Sequence, residues 1–414
     1  MTPAPNAAFE TPWVQIRTAG VHPLLYKRMV GETDPAAKPG DVVHIYDRSG
    51  RRIGAGLFNP RAPIVVRRLA GETEVIDESF WRRRLRDAIE LRRFLAVDGV
   101  TDAYRLVHAE GDGLSGLIVE RFADRLVFEV FSIGMFQRAA MIGGLLSELL
   151  GRPAALDRPD RAAEQWRVLI RADEPIERAE GFRAPPMDDD AGHTLVIREH
   201  GLRYRVDPAG GHKTGFFCDQ RDNRRRLAGW CGGASVLDLC CYSGGFGLCA
   251  AKLGGAKQVT GVDLDEHAVA LAKDNANLNQ VRIEHVHADA FTYLRQMIAN
   301  GRAYDVVVLD PPKLAFSRDG LEEALRRYHD LNGLALQVVR SGGLLLTCSC
   351  SGLVSEEAFI ETVHRAARRF GRTLQLVDRS GAAPDHPVAL ECPESAYLKA
   401  LWLRVQTGAS VRRP

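Results

Sequence analysis

Long apolar runs are missing from this 414-residue sequence. The longest candidates, such as Val306 to Leu309 ahead of Asp310, have the length of a strand and end at charge or turn residues. A membrane-spanning helix needs about 20 such residues, so the sequence excludes a protein that crosses a bilayer as helices. Cysteines number only eight, too few for a disulfide scaffold, and no Cys-x-x-Cys pair is present, which argues against structural zinc. The opening stretch MTPAPNAAFETPW has neither the basic start nor the apolar core of an export signal, so a cytoplasmic location with free thiols is expected. An excess of one charge is also missing. Fifty-five Lys plus Arg face 53 Asp plus Glu, so any nucleic-acid binding must come from the distribution of charge. Internal repeats and low-complexity tracts are absent too. What remains, 45% hydrophobic and 26% charged residues, excludes wholesale disorder.

At about 150 residues per domain the length predicts two or three domains. Residues 12–75 alternate short β-type runs (PGDVVHIYD, RSGRRIGAGLF, NPRAPIVVRRL) with Pro and Gly turns, the pattern of a small all-β barrel. Residues 76–205 begin with a basic linking helix, on which Phe80, Leu85, Ile89 and Leu95 recur near helical spacing. An α+β connector follows, with helices expected near 135–150 and 160–171 and a strand pair near 194–206. From 206 to 406 strand, glycine turn and helix repeat through SVLDLC, QVTGVDLD, IEHVHAD, YDVVVLDPP and GGLLLTCSC, which predicts a doubly wound α/β sheet.

Asp238-Leu-Cys-Cys-Tyr242-Ser243-Gly244-Gly245 follows the first of these strands and opens a helix. The two glycines are adjacent and an acid precedes the turn, so this is not the GxGxxG of dinucleotide sites. A carboxylate suits a cationic adenosine cofactor, whose amino-acid ammonium it can neutralise, where it would repel a pyrophosphate. Asp263 ends the second strand, in position to accept from ribose hydroxyls, and Asp289 ends the third, in reach of an adenine amine. Together they point to S-adenosylmethionine. The same three aspartates are also good helix caps. GGHKTG at 210–215 lacks the glycine before lysine that a phosphate loop requires.

Asp310-Pro-Pro-Lys313 follows the fourth strand, where two prolines hold a carboxylate at the sheet's rim. Lys313 stands where amino-group methyltransferases of this type carry a stacking aromatic. The fifth strand ends Thr347-Cys348-Ser349-Cys350-Ser351-Gly352. A thiol there is a candidate nucleophile. Methylation at carbon 5 of a pyrimidine needs one, because that carbon becomes nucleophilic only after a thiolate adds to carbon 6. Asp310, protonated or sharing a proton, would stabilise the charge arising on the ring. Period-two alternation puts Cys348 and Cys350 on one face, and Cys350, at the outlet, is favoured. Cys240, Cys249 and Cys392 are expected to be small buried apolar residues.

HPLLYKRMV, YRLVHAEGDGLSGLIVERF, KTGFFCDQRDNRRRL, LDLCCYSGGFG, VDLDEHAVALAKDNANLN, LDPPKLAFS, TCSCSGL and APDHPV together resemble the bacterial large-subunit ribosomal RNA methyltransferase I family, cytosine-C5 enzymes acting on 23S rRNA. The resemblance implies a Rossmann-like class I methyltransferase domain preceded by a PUA-type RNA-binding barrel. It implies cofactor contacts at Asp238, Tyr242, Ser243, Gly244, Asp263, Asp289 and Asp310, with Cys350 as nucleophile. Residues 131–197 match the family poorly. Gln220 is a further candidate for the cofactor's methionine end, and Arg221 for that end or a substrate phosphate. Lys213, Lys313 and Arg224, with His212, Arg225 and Arg226, are candidate RNA contacts, as is the Arg82–Arg93 helix. His386 is a candidate substrate contact, and Phe216 and Phe217 either stack or pack. The expected partner is 23S rRNA, with a homodimer as an option and neither membrane nor metal. Two other readings stay open: a class I methyltransferase acting without a covalent thiol adduct, and a non-catalytic RNA-binding factor.

Overall fold

The computed structural model describes residues 9–18, 20–153, 165–186, 194–208 and 215–407. Its contacts form two compact units. One takes in the chain up to Leu195 and recovers 384–395; the other takes 196–207, 216–383 and the chain from Ala396 onward. Where the sequence suggests a boundary at 206, the hairpin of Leu195–Glu199 and Leu202–Val206 thus falls almost wholly in the second unit.

In the first unit, six short strands between Trp13 and Ala70 form one sheet, with Val14, Val43, Ile45 and Val66 fully buried at its core. The basic helix is Glu78–Phe94, capped by Asp77 accepting from the Phe80 N–H, and it buries Phe80, Trp81, Leu85 and Ile89. A second sheet orders Arg167–Arg171, Arg125–Val130, Leu117–Phe122 and Ala103–His108 side by side. Residues 167–171 are therefore a strand, and the expected helix near 160–171 is corrected to that extent; 154–164 lie outside the described residues. The strand pairs in parallel with Arg125–Val130. That open edge offers backbone partners, while Val168 and Ile170 pack on the core at period two, so tertiary pairing overrides local periodicity.

The second unit is a seven-stranded sheet, numbered here within the unit: β1 Ser235–Leu239, β2 Gln258–Asp263, β3 Glu284–His287, β4 Tyr304–Leu309, β5 Val339–Ser349, β6 Arg372–Ser380 and β7 Lys399–Thr407. Their order across the sheet is β3-β2-β1-β4-β5-β7-β6. β1 to β5 run parallel and β7 runs antiparallel to both β5 and β6. The helices are α1 Arg221–Ala228, α2 Gly245–Lys252, α3 Glu266–Leu278, α4 Ala290–Ala299, α5 Leu321–Val338 and α6 Glu356–Arg369. Alternation splits the central strands between two cores. Leu237, Leu239, Val307 and Leu309 meet Tyr328 and Phe359, whereas Val236, Val306, Val308 and Leu346 meet Phe246 and Trp402. A sheet covered on both faces explains the near-continuous apolar runs of β1 and β4. The chain reverses its direction of winding between β1 and β4, and the crevice beyond their carboxyl ends is where such sheets take ligands. Among the described residues no helix is long and apolar enough to cross a membrane.

Candidate active site

The turn after β1 is unusual in its backbone. Cys240, Tyr242 and Gly244 all have positive φ (58°, 47° and 79°), which costs the two non-glycine residues energy that the surroundings must supply. The payoff is a sharp exit that aims the N-terminus of α2 at the crevice. Gly245 has no room for a side chain, since a Cβ would sit 2.8 Å from the Arg224 Cδ. Ser243 is buried, and its carbonyl accepts from Asn275 at 3.0 Å.

Asp238 is 1% exposed. Its Oδ2 accepts from the Gly247 N–H at 2.9 Å, while its Oδ1 is buried and has no hydrogen-bond partner. Burial first, then the neighbouring Asp310 and Asp263, push this carboxyl up to about 7. A buried acceptor left in this state needs a cation or donor, and an amino-acid ammonium fits it. Asp263, half-buried at the end of β2, accepts from the Tyr242 N–H at 2.8 Å and the Asp265 N–H at 2.9 Å. These bonds lock its carboxylate while leaving lone pairs for ribose hydroxyls. Asp289 caps α4, accepting from the Thr292 N–H at 3.0 Å through one oxygen. The residues present thus fit S-adenosylmethionine, and only Asp289 of the three is itself a helix cap.

Gln220 does something the sequence did not suggest. Its Nε2 donates to Asp310 Oδ2 at 2.9 Å, and its Oε1 accepts from Asn223 Nδ2 at 2.6 Å. Asn223 Oδ1 in turn accepts from Ser380 Oγ at 2.7 Å, whose oxygen accepts from the Trp402 indole at 2.8 Å. Because the indole can only donate, the direction of every bond in the relay follows. Gln220 therefore presents its NH2 to Asp310.

Ser351 Oγ accepts from the Leu314 and Ala315 N–H groups, both at 3.2 Å, tying the loop after β4 to the outlet of β5. The Tyr328 hydroxyl, on α5, meets Ser349 Oγ at 3.0 Å and Ser351 Oγ at 3.1 Å. Cys350 lies between these two serines, its backbone held on both sides. The two thiols of the motif differ in access: Cys348 is fully buried and Cys350 half-buried. Burial, with Asp310 adding to it, also pushes the Cys348 thiol well up, which suppresses its thiolate. Asn223, Tyr328, Ser351 and Lys399 are site residues that sequence reasoning missed. Asn223 and Ser351 lie inside quoted motifs, KTGFFCDQRDNRRRL and TCSCSGL, without being singled out there, and Tyr328 and Lys399 lie outside any.

Several candidate RNA contacts are corrected. Arg224 is buried, with Nε and Nη2 each 2.7 Å from an oxygen of the fully buried Glu199 and its guanidinium stacked 4.6 Å over the Phe216 ring. It joins α1 to the preceding hairpin and does not face solvent. Arg221 is likewise buried, and its Nε donates to Asp222. Arg226 is partly exposed and pairs with Asp378. On the helix Glu78–Phe94, Arg82 pairs with Glu78 and Glu148, Arg83 and Arg84 with Glu74, and Arg92 is buried on Asp112. In each of these a carboxylate already occupies the guanidinium, whereas Arg86 and Arg93 of the same helix are exposed with no ion pair among the described residues. Phe216 packs; Phe217 meets the Tyr242 ring edge-on at 5.1 Å. Lys313 is exposed, its Nζ 5.6 Å from the centre of the exposed Phe316 ring. Lys213 and His212 lie outside the described residues. His386 is buried in the first unit, 5.2 Å from the His108 ring, away from solvent and hence from substrate. Cys392 is also buried there and, with His22 and Glu394, forms a group whose ligand atoms lie within 4.8 Å of one another.

The family model described as S-adenosylmethionine-dependent methyltransferase matches residues 158–404, and that of a PUA-like domain matches 17–70. Among curated proteins, the ribosomal RNA large subunit methyltransferase I of Klebsiella pneumoniae (strain 342) is 37% identical over 93% of this chain and 94% of its own. The protein of that name from Aliivibrio fischeri (strain ATCC 700601 / ES114) is 38% identical over 93% and 95%. Two solved structures share the fold. A methyltransferase complexed with SAH has a TM-score of 0.77 at 21% identity, covering 92% of this chain and 95% of that one. A SAM-dependent methyltransferase from Streptococcus mutans also has a TM-score of 0.77 at 21% identity, covering 94% and 100%.

Proposed function

The chain belongs to the ribosomal RNA large subunit methyltransferase I family, and from that premise we propose that it methylates carbon 5 of a cytidine in 23S ribosomal RNA, in the cytoplasm, through Cys350. S-adenosylmethionine, when bound, supplies an electrophilic methyl group. Asp238 would hold its ammonium, Asp263 its ribose and Asp289 its adenine, around the Tyr242–Gly244 turn. The Cys350 thiolate forms a bond to carbon 6 of the cytosine, and the π electrons of the 5,6 bond shift towards carbon 5 and the ring. Asp310, oriented by Gln220 and protonated or sharing a proton, stabilises the charge that collects near N3. Once carbon 5 carries the methyl group, its proton passes to solvent water, the C5–H electron pair re-forms the 5,6 double bond, and the C6–S bond breaks to release the Cys350 thiolate. Residues 12–75 serve as the RNA-binding module, which the PUA-like match at 17–70 supports, and 76–195 as the connector.

The observation that carries this reading is the difference in access between two thiols on one strand: Cys348 is sealed and Cys350 opens at the outlet. RNA bearing 5-fluorocytidine tests it, because fluorine at carbon 5 blocks the final elimination. A covalent adduct mapped by mass spectrometry to Cys350 is expected, and Cys350→Ala should abolish turnover while still binding cofactor. An adduct on Cys348, or undiminished turnover by Cys350→Ala, would overturn the proposal.

A further inference from the structure

Lys399 opens β7 directly opposite Ser349 in the antiparallel ladder with β5, with Ala400 opposite Cys348. It is 5% exposed. Its Nζ donates to the Ser351 carbonyl at 2.7 Å and the Tyr397 carbonyl at 2.8 Å. Among the described residues no carboxylate lies within ion-pair distance of it. An ammonium buried on two neutral carbonyls is costly unless a negative charge forms nearby. Burial draws this group down to about 8, and the electrostatic neighbours that oppose the shift are Cys350 first and then Glu356. Its partner carbonyl belongs to the residue immediately after Cys350, the same residue whose hydroxyl anchors the loop after β4.

We propose that Lys399 is a positioning residue for Cys350, pinning the backbone just past the thiol and stabilising the thiolate by its charge. This rests on the covalent reading of Cys350 given above. The titratable groups around the pair are Cys348 on β5, Asp310 after β4, Tyr328 on α5, Glu356 at the start of α6, and Asp219 with Tyr397, whose hydroxyl donates to it at 2.6 Å. The carboxylates oppose thiolate formation and the ammonium favours it. A lysine that carries charge while the thiol titrates lowers the thiol's midpoint, so alkylation should rise with pH from below the ordinary thiol range to a plateau.

The test is the pH dependence of Cys350 alkylation by iodoacetamide, followed by peptide mass mapping on the full chain without RNA. In the unaltered protein the midpoint should lie below the roughly 8.5 of an ordinary thiol; a midpoint at or above that value overturns the proposal. Lys399→Met should raise the midpoint by about one unit or more and cut turnover near pH 7 about tenfold, with cofactor affinity unchanged. Lys399→Arg should keep the low midpoint, and a midpoint raised as in Lys399→Met would overturn the proposal. An unshifted midpoint in folded Lys399→Met would leave the lysine a merely structural part and overturn the proposal. Should Lys399→Met fail to fold, the unaltered protein and Lys399→Arg decide alone. Failure of the nucleophile reading itself appears separately, as turnover by Cys350→Ala, because alkylation reports the thiol's state whether or not it attacks RNA.

Discussion

In the role proposed for it, Asp238 is both a structural cost and a binding device. Its carboxyl is raised to about 7 by burial and by neighbouring carboxylates. The folded chain without cofactor therefore holds a proton there that the unfolded chain has lost above about 4. Stability should fall as pH rises from about 4 to 7. Cofactor binding reverses the balance, since the ammonium selects the ionised form. Affinity for S-adenosylmethionine should weaken about tenfold for each pH unit below 7, and Asp238→Asn should bind weakly with no such slope. Calorimetric titration at several pH values checks both, and a flat profile in the unaltered protein would reject the role. The acid before the glycine turn is legible in the sequence. Its protonation is not, because that depends first on burial and then on Asp310 and Asp263 arriving from two other strands.

At the scale of elements, the site is made by joining strand outlets. DPPK after β4 and SCSG after β5 are each readable as motifs. The bonds from the Leu314 and Ala315 N–H groups to Ser351 Oγ are not. They exist because β4 and β5 are parallel neighbours in register, with Leu309 beside Thr347. Ser351→Ala removes the acceptor of two partly or fully buried N–H groups, at a cost of about 1–3 kcal/mol for each buried donor left unsatisfied. Hydrogen exchange at Leu314 and Ala315 should speed up and turnover should fall, while cofactor affinity stays close to that of the unaltered protein. Unchanged exchange would show that the loop is held by other means. Residues 167–171 give the complementary lesson. Their alternation was hidden within a longer stretch that looked helical, and only the free edge of Arg125–Val130 made them a strand.

For the whole molecule, the balance of 55 basic and 53 acidic residues acquires meaning from pairing. Most arginines of the two basic helices are committed to carboxylates, whereas Arg225 and Lys313 are exposed with no carboxylate paired to them among the described residues. RNA affinity should fall with salt, and Arg225→Ala or Lys313→Ala should each lower the slope of log affinity against log salt by about 0.7 to 0.9. Arg224→Met should leave that slope alone and instead destabilise the fold by about 3–5 kcal/mol, because it strands the buried Glu199. Binding measured across salt, alongside urea denaturation, separates the two outcomes. A slope changed by Arg224→Met would return that residue to the RNA surface.

What the sequence by itself determined is whatever is written locally. The strand–turn–helix rhythm of the second unit, the acids at the ends of β1 to β4 and the thiol at the end of β5 all follow from residue type and period. These features depend on neighbours a few positions away, and local chemistry decides them. Only the tertiary structure decided which charges meet. Arg224 with Glu199, Gln220 with Asp310 and Lys399 with Ser351 join residues 25, 90 and 48 positions apart. The low dielectric of a shared interior, rather than any motif, gives those encounters their effect.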